Sequence, residues 1–263
     1  MNQEKYLKLE ADLLALVNSS PGHLAISFYD PEKDYSLEIA AEEAFPAASL
    51  IKNGILASFF AKVEEGKIDP AELITLSPEL ICGGDGIIKE FRSGHQLSLD
   101  ELATLMIIVS DNAATNLIID QVGMDEVNRY VSQVLGLKGT ELQRRLMDLQ
   151  AAKEGRDNIT TAHDQSLFFK QLLAGEIISK TASAKMLDIY RRQQVSGRLD
   201  LYLPMENPIA HKHGDLDYLE HDSGIIWKDE RPFILSVLTE KNPSNKEGRE
   251  VIGRVAELVY EAF

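Results

Sequence analysis

"SLDELATLMIIVSDNAATNLIIDQVG", residues 98–123, decides how this chain is read. Ser98 followed three residues on by Glu101 is a capping pattern, and the apolar residues after it recur at helical spacing. The stretch predicts two helices with a break near Ser110-Asp111-Asn112. Ser, Asp and Asn are all good helix caps, so local backbone chemistry is one explanation of the break. The other is chemical, because the same three residues offer a hydroxyl, a carboxylate and an amide between two apolar helices.

Working outward, residues 2–18 predict a helix with Tyr6, Leu9, Leu13, Leu16 and Val17 on one face. "HLAISFYD" (23–30) and "YSLEIA" (35–40) predict strands joined by the turn "PEKD". A helix follows over about 48–63, then a short strand, "ELITL" (72–76). Past the opening stretch, "MDEVNRYVSQVLG" (124–136) has helical pattern, and 138–160 is a long polar loop with some helix. Helices are expected at about 161–174, 179–190 and 196–202. "NPIAHKHGDLD", "HDSGIIWK" and "PFILSVLTE" predict three consecutive antiparallel strands, and a last helix spans about 245–262. The order predicts an α+β fold, an α/β sandwich with one antiparallel sheet built from both chain ends and an inserted all-helical lobe. A single domain over 1–263 is expected, its α/β lobe about 1–45 and 203–263 and its helical lobe about 46–202.

The 263 residues carry 27 Lys and Arg against 42 Asp and Glu, a formal net charge of -15. That balance argues against nucleic acid, whose phosphates require clustered Lys and Arg, and disfavours anionic membrane surfaces. A monomer acting on a small molecule is expected. Cys82 is the only cysteine, so no internal disulfide is possible. "MNQEKYLKLEADLLALVNSS" lacks the uninterrupted apolar core of a signal peptide. The chain as it stands reads as cytoplasmic, and a trimmed start would make it secreted or periplasmic. "CGGDG" (82–86) has no helix pattern behind it of the kind a phosphate site requires, and no cofactor is expected.

"FPAASLIKNG" (45–54) places Ser49 three residues ahead of Lys52 at a helix start. Residues at i and i+3 share a face, so the amine can reach the hydroxyl. A serine becomes a nucleophile when a base accepts its proton. A lysine is that base only where burial or positive neighbours favour its neutral form. Chance supplies about one Ser-x-x-Lys in a chain this size, and a capping serine beside a solvated lysine is the competing reading. In the functional reading Ser110 shuttles protons beside Lys52, and the Asn112 amide binds a substrate carbonyl. Lys212-His213-Gly214 lies in a strand pattern. Lys212 would point into a cleft, Gly214 would admit a close backbone, and the Asp215 N–H would donate to an oxyanion. An edge strand guarded by a lysine is the alternative. Strand alternation puts His211 and His213 on one face and Lys212 on the other. His211, His213, His221 and Asp222 are also a candidate metal grouping, but no metal is expected.

Ser-x-x-Lys, Ser-Asp-Asn and Lys-x-Gly, in this order, resemble the signature of class A β-lactamases and penicillin-binding proteins. Their separations, about 60 and then about 100 residues, are similar to class A spacing. The flanks "LATLMIIVSDNAATNLIID" and "AHKHGDLDYLEHDSGII" resemble it as well, and the resemblance covers nearly the whole chain. It implies a serine β-lactamase-like fold and an acyl-enzyme on Ser49. Lys52 and Ser110 would move protons, the N–H groups of Ser49 and Asp215 would form an oxyanion hole, and Lys212 would attract a substrate carboxylate. It implies no cofactor.

The resemblance departs in two places. Class A enzymes share a loop with an Arg, a Glu two residues later and an Asn four beyond, and the Glu orients the deacylating water. Here the region reads "LQRRLMDLQAAKEGRDN" (142–158), and the Glu position falls on Leu146 or Met147. Asp148, one residue further on, is the candidate replacement, with pairing to an arginine as its alternative. His213 stands where Thr or Ser is usual and is expected to replace that hydroxyl as a donor to substrate. Three functions are compared. One is a β-lactam hydrolase with slow deacylation. Another is a related peptidase, esterase or amidase with a different natural substrate. The third is a silent binding protein, against which the intact Ser49, Lys52, Ser110 and Asn112 argue.

Overall fold

The computed structural model describes residues 3–263. The chain opens with α1 (Gln3–Ser19), β1 (His23–Asp30) and β2 (Tyr35–Ile39). Residue 2, where the first helix is expected to begin, lies outside the described residues. A two-residue strand, β3 (Phe45–Pro46), leads into a 3₁₀ turn, Ala48–Ile51, that runs on as α2 (Lys52–Glu64). Strands β4 (Leu73–Thr75) and β5 (Gln96–Ser98) flank the loop carrying residues 82–86. They are followed by α3 (Leu99–Ile108), α4 (Asn112–Val122) and α5 (Met124–Arg129). Short α6 (Leu149–Lys153) and β6 (Ile159–Thr160) precede α7 (Ala162–Ala174) and α8 (Lys180–Arg191). The chain ends with β7 (Ile209–Leu216), β8 (Leu219–Lys228), β9 (Arg231–Glu240) and α9 (Asn245–Ala262).

The main sheet has the order β2-β1-β9-β8-β7 and is antiparallel throughout. The N-terminal hairpin joins the C-terminal three strands along β1 and β9, with Ser27 opposite Ser236. Strands β1, β8 and β9 are buried on both faces, which is why they read as apolar runs rather than alternations. On one face, Tyr6, Leu9 and Leu13 of α1 pack with Ile252, Val255 and Val259 of α9. The other face meets α7, α8 and the 3₁₀ turn, behind which the remaining helices pack.

Helix α2 is the centre of the helical region. Its residues from Lys52 to Ala61 are all buried, and a helix surrounded on every side has no solvent face to offer a lysine. Next to Lys52, Asn53 accepts from Tyr190 and donates to Gln165, which in turn donates to Thr160, so the buried polar groups are satisfied. The break in the opening stretch forms as its residues dictate. Ser98 and Glu101 cap α3 reciprocally. Ser110 turns the chain with a left-handed φ of 55°, and Asp111 caps α4 by accepting from the Ala114 N–H at 2.9 Å.

Residues 196–202 are turns, not the expected helix. Asp200 Oδ1 accepts from the N–H groups of Gly197 (2.7 Å) and Arg198 (3.0 Å). Such side-chain bonds compete with helical ones.

Candidate active site

The 3₁₀ turn with the start of α2, the α3–α4 junction and β7 bring five sequence-predicted side chains together: Ser49, Lys52, Ser110, Asn112 and Lys212. Ser110 Oγ lies 2.8 Å from Ser49 Oγ, 3.0 Å from Lys52 Nζ and 3.1 Å from Lys212 Nζ. Lys52 also donates to the Ser110 carbonyl at 2.6 Å and to Asn112 Oδ1 at 2.9 Å, so all three of its ammonium hydrogens are used. Lys212 donates to Ser110 and to the His213 carbonyl at 2.7 Å. Both lysines are fully buried. Burial pushes the Lys52 amine down to about 7, although the carboxylates of Asp85 and Asp111 pull the other way. Lys212 is pushed well below its ordinary value by burial and then by the charge of Lys52.

Gly214 sits where nothing larger fits. A Cβ there would stand 2.8 Å from the Ser49 backbone nitrogen and 3.1 Å from Ala48 Cβ. Strand β7 therefore abuts the turn that carries Ser49. It is also an edge strand, and its His211 and His213 carbonyls accept from Gln193 and Lys212 rather than from β8. By the two-residue repeat of a strand, the Asp215 N–H lies on that same free edge, beside Ser49. Two residues here hold left-handed backbone without being glycine: Ala48 (φ 44°), directly before Ser49, and Ser110. Such strain persists where the surroundings over-determine it.

A cavity of about 230 Å³ opens onto Ser49, with Asn112, Leu146 and Asp215 among its walls. A wider groove of about 700 Å³ lies elsewhere, against α3 and α8, and contains none of these residues. Leu146, one of the two positions where the resemblance would set the Glu, is clamped to α4 because Asn116 accepts from its N–H (2.9 Å) and donates to its carbonyl (3.0 Å). Arg144 pairs with Asp157, and Asn158 accepts from the N–H groups of Gln143 and Arg144.

Two expected site residues stand apart from this group. Asp148 is exposed, and its carboxylate accepts from the Ala151 N–H at 2.9 Å as the N-cap of α6. It neither lines the cavity nor pairs with an arginine, because the short helix that follows takes up its oxygen. His213 faces away from Lys212, as strand alternation requires, and lines none of the cavity. It is buried beside Asp215, and burial together with Lys212 and Arg198 holds the imidazole neutral. Its Nδ1 has no hydrogen-bond partner. The histidines do not converge. His211 pairs with Asp222 at 2.9 Å, while His221 Nε2 donates to the Pro46 carbonyl.

Sequence reasoning missed Arg198. It is buried, donates to Glu220 at 2.6 Å and to Asp215 at 2.9 Å, and so holds the end of β7 that faces Ser49. No periodic signal marks it, since it lies in a turn. Asn116 was legible only as part of an apolar helix.

Comparison with known proteins agrees with this geometry. The curated β-lactamase CARB-3 of Pseudomonas aeruginosa is 26% identical over 277 residues, covering all of this chain and 92% of that protein. The structure of PBP-A matches with a TM-score of 0.89 and 31% identity, over 97% of this chain and 96% of that one. A leucine-to-glutamate variant of PBP-A, solved as an acyl-enzyme complex with penicillin G, matches at 0.89 and 30%, over 98% and 96%. The β-lactamase of Sphaerobacter thermophilus matches with a TM-score of 0.90 and 27% identity, over 97% of each chain. The model of the beta-lactamase enzyme family matches residues 8–263, and this chain belongs to that family.

Proposed function

We propose that this β-lactamase-like serine hydrolase is acylated on Ser49 by β-lactams and releases the acyl group slowly. The observation that carries the reading is the hydrogen-bonded chain from Ser49 through Ser110 to a lysine whose amine titrates at about 7. When Lys52 is neutral, its lone pair accepts the Ser110 proton while Ser110 takes the proton of Ser49. The Ser49 oxygen attacks the ring carbonyl, the developing oxyanion is met by the N–H groups of Ser49 and Asp215, and the C–N bond breaks. The leaving nitrogen takes its proton back from Ser110, which Lys52 replenishes. In its ammonium form Lys212 has one hydrogen beyond its two protein bonds, and a bound substrate carboxylate would favour that form.

Slow release follows from the wall at Leu146, whose own side chain cannot take a proton from water, while Asp157 and Asp215 in the same cavity are held by Arg144 and Arg198. The same wall favours a second reading, a peptidase, esterase or amidase whose natural acyl donor is not a β-lactam. The likeness to PBP-A supports it. Intact-mass spectrometry with penicillin G tests the shared step. A covalent adduct that persists for minutes and is absent from Ser49→Ala is expected. No mass shift at high drug concentration would overturn the reading. Turnover without accumulation would overturn its slow second half.

A further inference from the structure

Met147 is held in an unusual state beside this cavity. It has a left-handed φ of 64° without being glycine, a strained conformation for an ordinary side chain. Its neighbours leave it no freedom: Asn116 clamps both backbone groups of Leu146, Asp148 caps the next helix, and the Leu149 N–H donates to the Met147 carbonyl at 2.9 Å. The side chain is consequently thrown across the cleft. A Cβ built on Gly84, in the opposite rim, would overlap the Asn112 amide nitrogen and stand 2.9 Å from the Met147 sulfur. One on Gly83 would lie 3.9 Å from the Met147 methyl group. Met147 and Gly84 both line the Ser49 cavity, whose remaining apolar walls are Ala48, Leu146, Leu149 and Leu216.

We propose that Met147 is a specificity-determining residue. Its thioether bridges the two rims of the cleft and sets the breadth of acyl group that reaches Ser49. Donors whose acyl side chain is slender and apolar next to the carbonyl pass beneath it, and donors branched or ringed at that point collide with it. The inference rests on the Ser49 acyl-enzyme reading. The strained backbone is what aims the side chain, and an unbranched thioether is compliant enough to admit a narrow substrate.

Two penicillins test it, one with a phenylacetyl side chain and one whose aromatic ring, flanked by two methoxy groups, is bonded directly to the carbonyl. The readout is the ratio of their acylation rates on the intact protein, followed by mass spectrometry and with melting temperatures as the check on folding. The wild type should favour the slender penicillin by about tenfold or more. Met147→Gly, which accepts the left-handed backbone but removes the bridge, should bring the ratio close to one. Met147→Leu, which restores bulk without sulfur, should recover the preference. An equal ratio in all three proteins overturns the inference and leaves the acyl-enzyme reading standing. No label on Ser49 from either penicillin overturns both.

Discussion

At the scale of single residues, the Ser110 hydroxyl is a junction with two lysines donating to it and one serine receiving from it. When both lysines are ammonium its lone pairs are occupied and it cannot accept the proton of Ser49, and only a neutral Lys52 offers a lone pair that passes the proton on. Acylation should therefore increase with pH through about 7 and level off above it, as Lys52 loses its proton. A rate independent of pH between 5 and 9 would remove Lys52 from the proton path. The same group bears on stability. The folded amine titrates at about 7 and the unfolded one at 10.5, so between those values the unfolded chain holds more protons and stability rises with pH. Below about 7 the cost of burying the cation is fully present. Lys52→Met should thus raise the melting temperature by several degrees at pH 6 while abolishing acylation.

Residue placement was legible where a local pattern and a fold-level order agreed. Ser49, Lys52, Ser110 and Lys212 converge as the three spaced motifs imply. Strand alternation placed His213 opposite Lys212, and that periodicity prevailed over the analogy with a substrate-facing hydroxyl. Asp148 could not be assigned by counting, because a carboxylate before a short helix serves equally as cap or base until the helix is seen.

At the scale of elements, the decisive one is the loop 142–158, fastened by Asn116, Asn158 and the Arg144–Asp157 pair. Because its backbone is pinned, exchanging one side chain changes chemistry more than shape. Leu146→Glu should shorten the lifetime of the penicillin adduct by about tenfold or more, through a carboxylate able to activate water. An unchanged half-life would mean that the apolar wall does not cause the persistence. The sequence marked this loop as polar and irregular but could not show its clamps, since one comes from α4 and the others join the loop's own two ends. The expected helix at 196–202 failed for a local reason, as Asp200 drew the turn around its own carboxylate.

At the scale of the whole molecule, the order of helices and strands was enough to predict a sheet drawn from both chain ends. What it could not show was how the two parts are tied. Arg198, outside the sheet, bonds Glu220 of β8 and Asp215 of β7, and Arg249 of α9 meets Glu220 at 3.1 Å. Glu220 is completely buried. Arg198→Ala should destabilise the protein by about 3 kcal/mol in urea unfolding, because a buried carboxylate then loses its main partner. A loss under about 0.5 kcal/mol would show that Arg249 and Asn245, the other donors to Glu220, suffice.

The join between β1 and β9 sets an order of events during synthesis. Strand β1 leaves the ribosome early, yet its neighbour on that side lies within residues 231–240. Until residues 231–240 have been made, the first hairpin has an unsatisfied edge, and nascent chains can find one another through it. A copy stalled before residue 231 would carry every residue of the candidate site and still be a candidate for aggregation rather than folding.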